Sequence, residues 1–262
     1  MSVRMEEVKF SYSETLILDN ICMDVEDSHF IAILGPNGVG KSTLLHCMNK
    51  ILTPTHGVVS IEGKDLDEYS IKDLSKIVGY VPCSTESTFP MTVIDTIMIG
   101  RNPYSTWRSG KKDLEISYGA LKMLDIEDLA LRPFGELSSG QHQKVMLARG
   151  IAQEPKILLL DEPTSNLDIK HQLEVTKMLK SLSVKRGMTV IMVCHDINIA
   201  SKYADEIVLM HAGHIYAYGK PSEVITSENL FTAYGVRSDI LESEGRPHVI
   251  LKDEGLLNFD TD

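Results

Sequence analysis

No run of about 18 consecutive apolar residues occurs in the 262-residue chain, so a membrane-spanning helix of ordinary length is excluded. The segment from Met1 to Glu7 lacks the apolar centre of a signal peptide. Cys22, Cys47, Cys83 and Cys194 are scattered and form no Cys-x-x-Cys pair, a usage that fits free thiols in a reducing compartment. These absences predict a cytosolic setting. Positive charge is scarce as well. The 26 Lys and Arg against 37 Asp and Glu give a net charge of −11, which argues against broad attraction to nucleic acid or anionic lipid while leaving room for a local basic patch. There is no internal repeat and no low-complexity segment. What remains is ordinary for a soluble globular chain: 43% hydrophobic, 24% charged, and long enough for one large domain or a core with a smaller lobe.

One stretch organises the rest. Residues 30–34 are apolar throughout and read as a buried strand that breaks at Gly35. Apolar residues at helical spacing (Leu44, Leu45, Met48, Ile51) follow Lys41. Between strand and helix lies Gly35-Pro36-Asn37-Gly38-Val39-Gly40-Lys41-Ser42-Thr43, with the G-x-x-x-x-G-K-S spacing of a phosphate-binding loop. A triphosphate in a tight turn needs inward-pointing N–H groups, and Gly35, Gly38 and Gly40 permit the dihedrals and the close approach. The helix start adds its positive end, Lys41 reaches the outer phosphates, and the Ser42 hydroxyl serves as a Mg²⁺ ligand. A chance glycine-rich turn is the competing reading, and the flanking strand and helix count against it. The chain is expected to bind a nucleoside triphosphate.

In chain order, Val3, Met5, Val8 and Phe10 suggest a first strand and Ile21, Met23 and Val25 a second. Tyr12 stands before the turn residues Ser13 and Glu14, and either stacks on an adenine ring or simply closes the hairpin. Thr53-Pro54 and His56-Gly57 read as a break, Val59, Ile61 and Gly63 as a hairpin strand, and residues 77–81 as another buried strand. From Thr92 to about Gln153 the pattern is mostly helical, with a loop holding Arg101, Pro103, Tyr104 and Trp107. This predicts an inserted helical lobe, near 87–153, with flexible edges at 83–90. Leu137-Ser138-Ser139-Gly140-Gln141 opens a helix, where serines are ordinary caps. The apolar strand Ile157 to Leu160 ends in Asp161-Glu162-Pro163, which places Asp161 to hold Mg²⁺ and Glu162 to orient and deprotonate a water. A helix from Ile169 to Leu182 and a strand Thr189 to Cys194 follow. His195, at that strand's end, faces the ligand crevice if the sheet is parallel, although a lone histidine is more often structural. Residues 206–218 read as a last hairpin, and the tail alternates in Asp239-Ile240-Leu241 and His248-Val249-Ile250-Leu251.

Taken in this order, the elements resemble the nucleotide-binding subunit of ATP-binding cassette (ABC) transporters over nearly the whole chain. The carriers are the Gly35 to Thr43 loop, the Leu137 to Gln141 signature, Leu160-Asp161-Glu162, Ser165-Asn166-Leu167-Asp168 and His195. The resemblance implies an α/β phosphate-loop NTPase (RecA-like) core with a mainly parallel sheet, an antiparallel β lobe near 1–30 and 57–63, and the helical lobe. The ATPase domain would span 1–236, and 237–262 a short extension, a β-hairpin. It also implies a head-to-tail homodimer in which ATP on one phosphate loop is covered by Ser138, Ser139, Gly140 and Gln141 of the other copy. Tyr12 then matches the adenine-stacking aromatic, Glu162 the general base, His195 the γ-phosphate sensor and Asp168 the cross-dimer loop.

Three positions depart from the family. Ser139 stands where glycine is usual and adds a β-carbon near the phosphates; Val39 replaces a common serine whose backbone alone is used. Cys83 follows Val78-Gly79-Tyr80-Val81-Pro82 where the family has a glutamine that contacts Mg²⁺ and the attacking water and links to the membrane subunit. A thiol is a soft, weakly bonding substitute with poor affinity for Mg²⁺. Within the family the likeness is closest to subunits powering import of iron–siderophore, haem and vitamin B12 complexes. It is carried by Thr92-Val93-Ile94-Asp95 through Gly100-Arg101-Asn102-Pro103-Tyr104, by residues 167–175, and by the single C-terminal hairpin. ATP, Mg²⁺, membrane permease subunits and, indirectly, a substrate-binding protein are the expected partners, at the cytoplasmic face of the membrane. Cassettes serving another metal or small solute are the alternative. Less favoured are exporters and soluble cassettes acting on ribosomes or DNA, which usually carry a second ATPase unit or long coiled coils.

Overall fold

The computed structural model describes residues 2–83, 91–104 and 110–252. Strands β1 (Val3–Tyr12) and β2 (Thr15–Val25) form an antiparallel hairpin, followed by β3 (Phe30–Leu34) and helix α1 (Lys41–Met48). Then come β4 (His56–Ile61), β5 (Lys64–Asp65), α2 (Ile71–Leu74) and β6 (Val78–Val81). The helical lobe holds α3 (Val93–Met98), α4 (Gly110–Met123) and α5 (Ser139–Ala152). Next are β7 (Ile157–Asp161), α6 (Ile169–Arg186), β8 (Thr189–Val193), α7 (Ile197–Tyr203), β9 (Glu206–His211) and β10 (His214–Gly219). The last described elements are α8 (Pro221–Val224), α9 (Ser227–Tyr234), β11 (Ser238–Ser243) and β12 (Arg246–Leu251).

The central sheet has the order β10-β9-β3-β8-β7-β6, parallel from β9 to β6 with β10 antiparallel at the edge. A separate antiparallel sheet runs β2-β1-β4-β5. Strands β3, β7 and β8 are buried at every position, because both faces of the parallel sheet are covered. Phe30, Ala32 and Leu34 pack with Leu158, Leu160, Val190 and Met192 toward the helical lobe and α6. Their alternates Ile31, Ile33, Leu159, Ile191 and Val193 pack toward α1 and the antiparallel sheet. This α/β architecture is the expected one. Among the described residues, no helix is long and apolar enough to cross a membrane.

Two local expectations fail. His56-Gly57 is the start of β4 rather than a break. Gly57 sits at φ +83, and a Cβ there would lie 2.4 Å from the Glu6 carbonyl oxygen, so glycine lets β4 pass the irregular register of β1 near Glu7. The Arg101 loop is 3₁₀-helical from Ile99 to Tyr104, and Arg101 is buried. Its Nε donates to Asp113 Oδ1 at 3.0 Å, and Nη1 donates to the Ala152 carbonyl at 2.7 Å and to Glu154 Oε2 at 3.0 Å. The guanidinium thus ties the entry of α4 to the exit of α5. Trp107, most of the expected flexible edge, and the end of the expected C-terminal extension lie outside the described residues.

The hairpin β11–β12 is fastened to α7. Asn198 bonds the Val249 backbone in both directions, donating to its carbonyl at 3.2 Å and accepting its N–H at 2.7 Å. Ser201 donates to the Pro247 carbonyl, and Arg246 donates to the Ala204 carbonyl at 2.7 Å, satisfying the end of the helix.

Replacing Arg101 with Met removes one partner of a buried ion pair, and we expect it to lower unfolding stability by about 3–5 kcal/mol. Urea titration of the variant against the wild type measures this, and an unchanged midpoint would show the lobe is held without the guanidinium.

Candidate active site

The carboxyl ends of adjacent strands β3, β8, β7 and β6 stop at one edge of the sheet, each running into a polar segment. The phosphate loop follows β3. Gly35 is buried at φ +148, where a Cβ would meet the Met210 carbonyl oxygen at 2.5 Å; Gly40, at φ +101, would meet the Leu18 side chain at 2.8 Å. Only glycine fits either place. Tyr234 of α9, its phenol pushed up to about 12 mainly by burial, hydrogen-bonds the Gly35 backbone. Asn37 and Gly38 are exposed, and Lys41 is buried with Nζ donating to the Gly35 carbonyl at 2.8 Å and the Pro36 carbonyl at 2.7 Å. Burial lowers the Lys41 pKa, partly offset by the carboxylates of Glu162 and Asp161.

Ser42 donates to Asp161 Oδ1 at 3.0 Å. Asp161 is buried, and burial raises its pKa while the Ser42 hydroxyl pulls it back down. A further pair stands beside it. His46 Nε2 and the Tyr80 hydroxyl lie 2.9 Å apart, and burial, then the Asp161 charge, raises the Tyr80 pKa. Neither residue is among those expected from the sequence. The available signals were His46 four residues after Ser42, on the same face of α1, and a single hydroxyl inside the apolar strand β6.

Glu162 follows Asp161 with φ +51, a left-handed conformation unusual for a non-glycine residue. Its Oε1 lies 2.6 Å from His195 Nε2, and its Oε2 lies 3.7 Å from Cys83 Sγ. The sheet register explains the convergence. Val81 pairs with Leu160, so Cys83 and Glu162 each stand two residues further on, while Asp161 pairs with Val193, two residues before His195.

Ser138 is the N-cap of α5 in a full capping box: its Oγ accepts the Gln141 N–H at 3.3 Å, and Gln141 Oε1 accepts the Ser138 N–H at 3.0 Å. The expected cap is there, and an accepting hydroxyl keeps its own proton for another partner. Ser138 and Ser139 are exposed. Ser138, Ser139, Gly140 and Gln141 line a cleft of about 480 Å³ together with Asp168, to which neither the phosphate loop nor Glu162 contributes. Asp168 caps α6 and lies 2.9 Å from His171 Nδ1. Tyr12 is the last residue of β1, paired with Thr15 across the turn, half-exposed and edge-on to Phe10 with ring centroids 4.8 Å apart. It therefore closes the hairpin, which leaves its outward face available.

A strand, a glycine-rich loop on a helix N-terminus and an aspartate ending a nearby parallel strand define a phosphate-loop NTPase. The chain belongs to the ABC transporter family, whose family model matches residues 18–165. An uncharacterised ABC transporter ATP-binding protein of Methanocaldococcus jannaschii is 44% identical, over 95% of this chain and 98% of its own length. The ferric enterobactin transport ATP-binding protein FepC of Escherichia coli is 35% identical, over 95% of this chain and 93% of its own. Among solved structures, an inward-facing transporter assigned to the metal-chelate ABC type has a chain that superposes with TM-score 0.83 at 29% identity, covering 98% of this chain and 99% of that one.

Gly35→Ala should abolish nucleotide binding while leaving a folded protein, since the added methyl group displaces the loop. Titration with a fluorescent ATP analogue reads the first and circular dichroism the second.

Proposed function

We propose that this chain hydrolyses ATP to power import of a metal chelate, of the iron–siderophore, haem or cobalamin type, through an integral-membrane permease. It works as a homodimer at the cytoplasmic face of the membrane, with a substrate-binding protein as an indirect partner and no role in nucleic-acid binding. The observation that carries the enzymatic part is Glu162, beside the buried Asp161 and its half-buried partner Ser42, and 2.6 Å from His195. The import part is supported by the likeness to a ferric enterobactin subunit and to a metal-chelate-type transporter.

Each residue then has a task. The N–H groups from Gly35 to Thr43 cradle the phosphates, and Lys41 turns from the loop carbonyls to the outer phosphates. Tyr12 stacks on the adenine. Ser42 and Asp161 fit a Mg²⁺ ion, because both present hard oxygen donors and the burial of Asp161 favours a cation beside it. Bound there, Mg²⁺ neutralises charge on the phosphates. Glu162 takes the proton from a water as its oxygen bonds to the γ-phosphorus and the bond to ADP breaks; His195 holds Glu162 and senses the γ-phosphate. Ser138, Ser139, Gly140 and Gln141 cover the nucleotide of the second copy, with Asp168 at the same contact. Their separation from the phosphate loop within one chain supports a site completed by a partner.

Glu162→Gln keeps the shape and removes the base. We expect ATP binding to persist and turnover to fall about 10²–10⁴-fold. Undiminished hydrolysis would remove Glu162 from that role.

Lys41→Ala and Ser139→Arg subunits should each be inactive alone, and mixing them should restore hydrolysis, because one composite site of the mixed dimer keeps both intact halves. Failure to complement would argue against a shared site. Co-purification of a permease from detergent-solubilised membranes tests the transport assignment.

A further inference from the structure

Cys83 is the sequence's largest departure from its family, and the structure gives it a definite neighbour. The half-buried thiol lies 3.7 Å from Glu162 Oε2, while His195 lies on Oε1. The geometry points to Cys83 as a positioning residue for Glu162: the thiol donates to one carboxylate oxygen while His195 engages the other, so the base is held from both flanking strands. This rests on the reading of Glu162 as the general base.

Three features bear on it. A carboxylate turns freely about its last torsion, which is broad and roughly two-fold, so one contact does not fix its plane and two on opposite oxygens do. The thiol stays a donor, because burial first and then the Glu162 charge raise its pKa, against a smaller opposing pull from the Ser165 hydroxyl, and keep the proton on sulfur. The surroundings are also built for it. The Ser165 hydroxyl donates to the Glu162 carbonyl at 3.1 Å and borders the sulfur, steadying the backbone from which the carboxylate projects. Among the described residues, the charged and titratable groups facing Glu162 are Lys41, Asp161, His195, Cys83 and Cys194. Of these, Cys83 and His195 are the two that contact its carboxylate oxygens among the described residues. In this chain, then, position 83 addresses the base rather than the metal, which suits a neutral thiol that bonds Mg²⁺ poorly.

The test uses the full-length chain carrying Cys22→Ser, which removes the exposed thiol; Cys47 and Cys194 are buried. Cys83→Ala is expected to lower kcat about 10- to 100-fold, the scale of a small misplacement of a catalytic group, with KM for ATP and nucleotide affinity unchanged. Cys83→Ser, whose hydroxyl still donates, should recover most of that loss. In a Glu162→Gln background Cys83→Ala should have no further effect. A readout independent of turnover is alkylation of Cys83 by iodoacetamide, followed by peptide mass spectrometry. It should run several-fold faster in Glu162→Gln, where the neighbouring negative charge is gone. Wild-type kcat in Cys83→Ala, a rise in KM in place of the fall in kcat, no rescue by serine, or alkylation indifferent to Glu162 would each overturn the inference. If Glu162→Gln is inactive and Cys83→Ala is not, only the positioning role fails. If Glu162→Gln turns over normally, the reading of the base fails with it.

Discussion

Burial of both faces of the central parallel sheet decides where chemistry can stand. Strands β3, β7 and β8 have no solvent-facing side, so a polar group within them would lose its water without recompense. Polar residues are tolerated where the strands stop. The neighbouring strands β3, β8, β7 and β6 stop together, and the phosphate loop, His195, Asp161-Glu162 and Cys83 are what they deliver. Neighbouring strands lie about 4.8 Å apart, close enough for side chains at successive ends to touch. Side chains from the ends of the two flanking strands meet on Glu162 for that reason, with no motif joining them in sequence.

The same burial sets the electrostatics. It pushes Lys41 down and Asp161 up, disfavouring the charged form of each, and their mutual attraction restores part of what desolvation removes. A site of this kind is stiff and poorly screened, so a charge entering it is felt more strongly than at the surface. Preorganised charge around phosphates is where phosphoryl-transfer catalysis draws most of its strength.

The readable part of the sequence was whatever depends on local spacing. The glycines of the phosphate loop are needed by backbone geometry alone, and the unbroken apolar run Phe30 to Leu34 is matched by a core on each face of the sheet. The cap at Ser138 was legible for the same reason, since a capping box spans only four residues. What escaped depends on register or tertiary closure. Nothing near Cys83 announces Glu162, because their meeting follows from β6 pairing with β7 across 79 residues of chain. Arg101 among Pro103 and Tyr104 read as loop because its composition is that of a turn, whereas its buried carboxylate partner lies one helix further on. His56-Gly57 misled in the opposite way: the glycine answers a bulge in a neighbouring strand, not a turn of its own.

The fastening of β11–β12 to α7 carries a consequence for the order in which the protein is made. Helix α7 begins two residues after His195, and its polar end is satisfied by Arg246, with Asn198 and Ser201 closed by Val249 and Pro247. Those partners are synthesised more than forty residues later, and contacts between distant parts of a chain form late. The phosphate loop also waits on late-made parts, since β3 lies between β8 and β9 and Gly35 is bonded by Tyr234, but the corner beside His195 waits longest, for residues 246–249. The two halves of this strand edge are thus both finished late in translation, and the segment behind His195 is closed last, by residues 246–249.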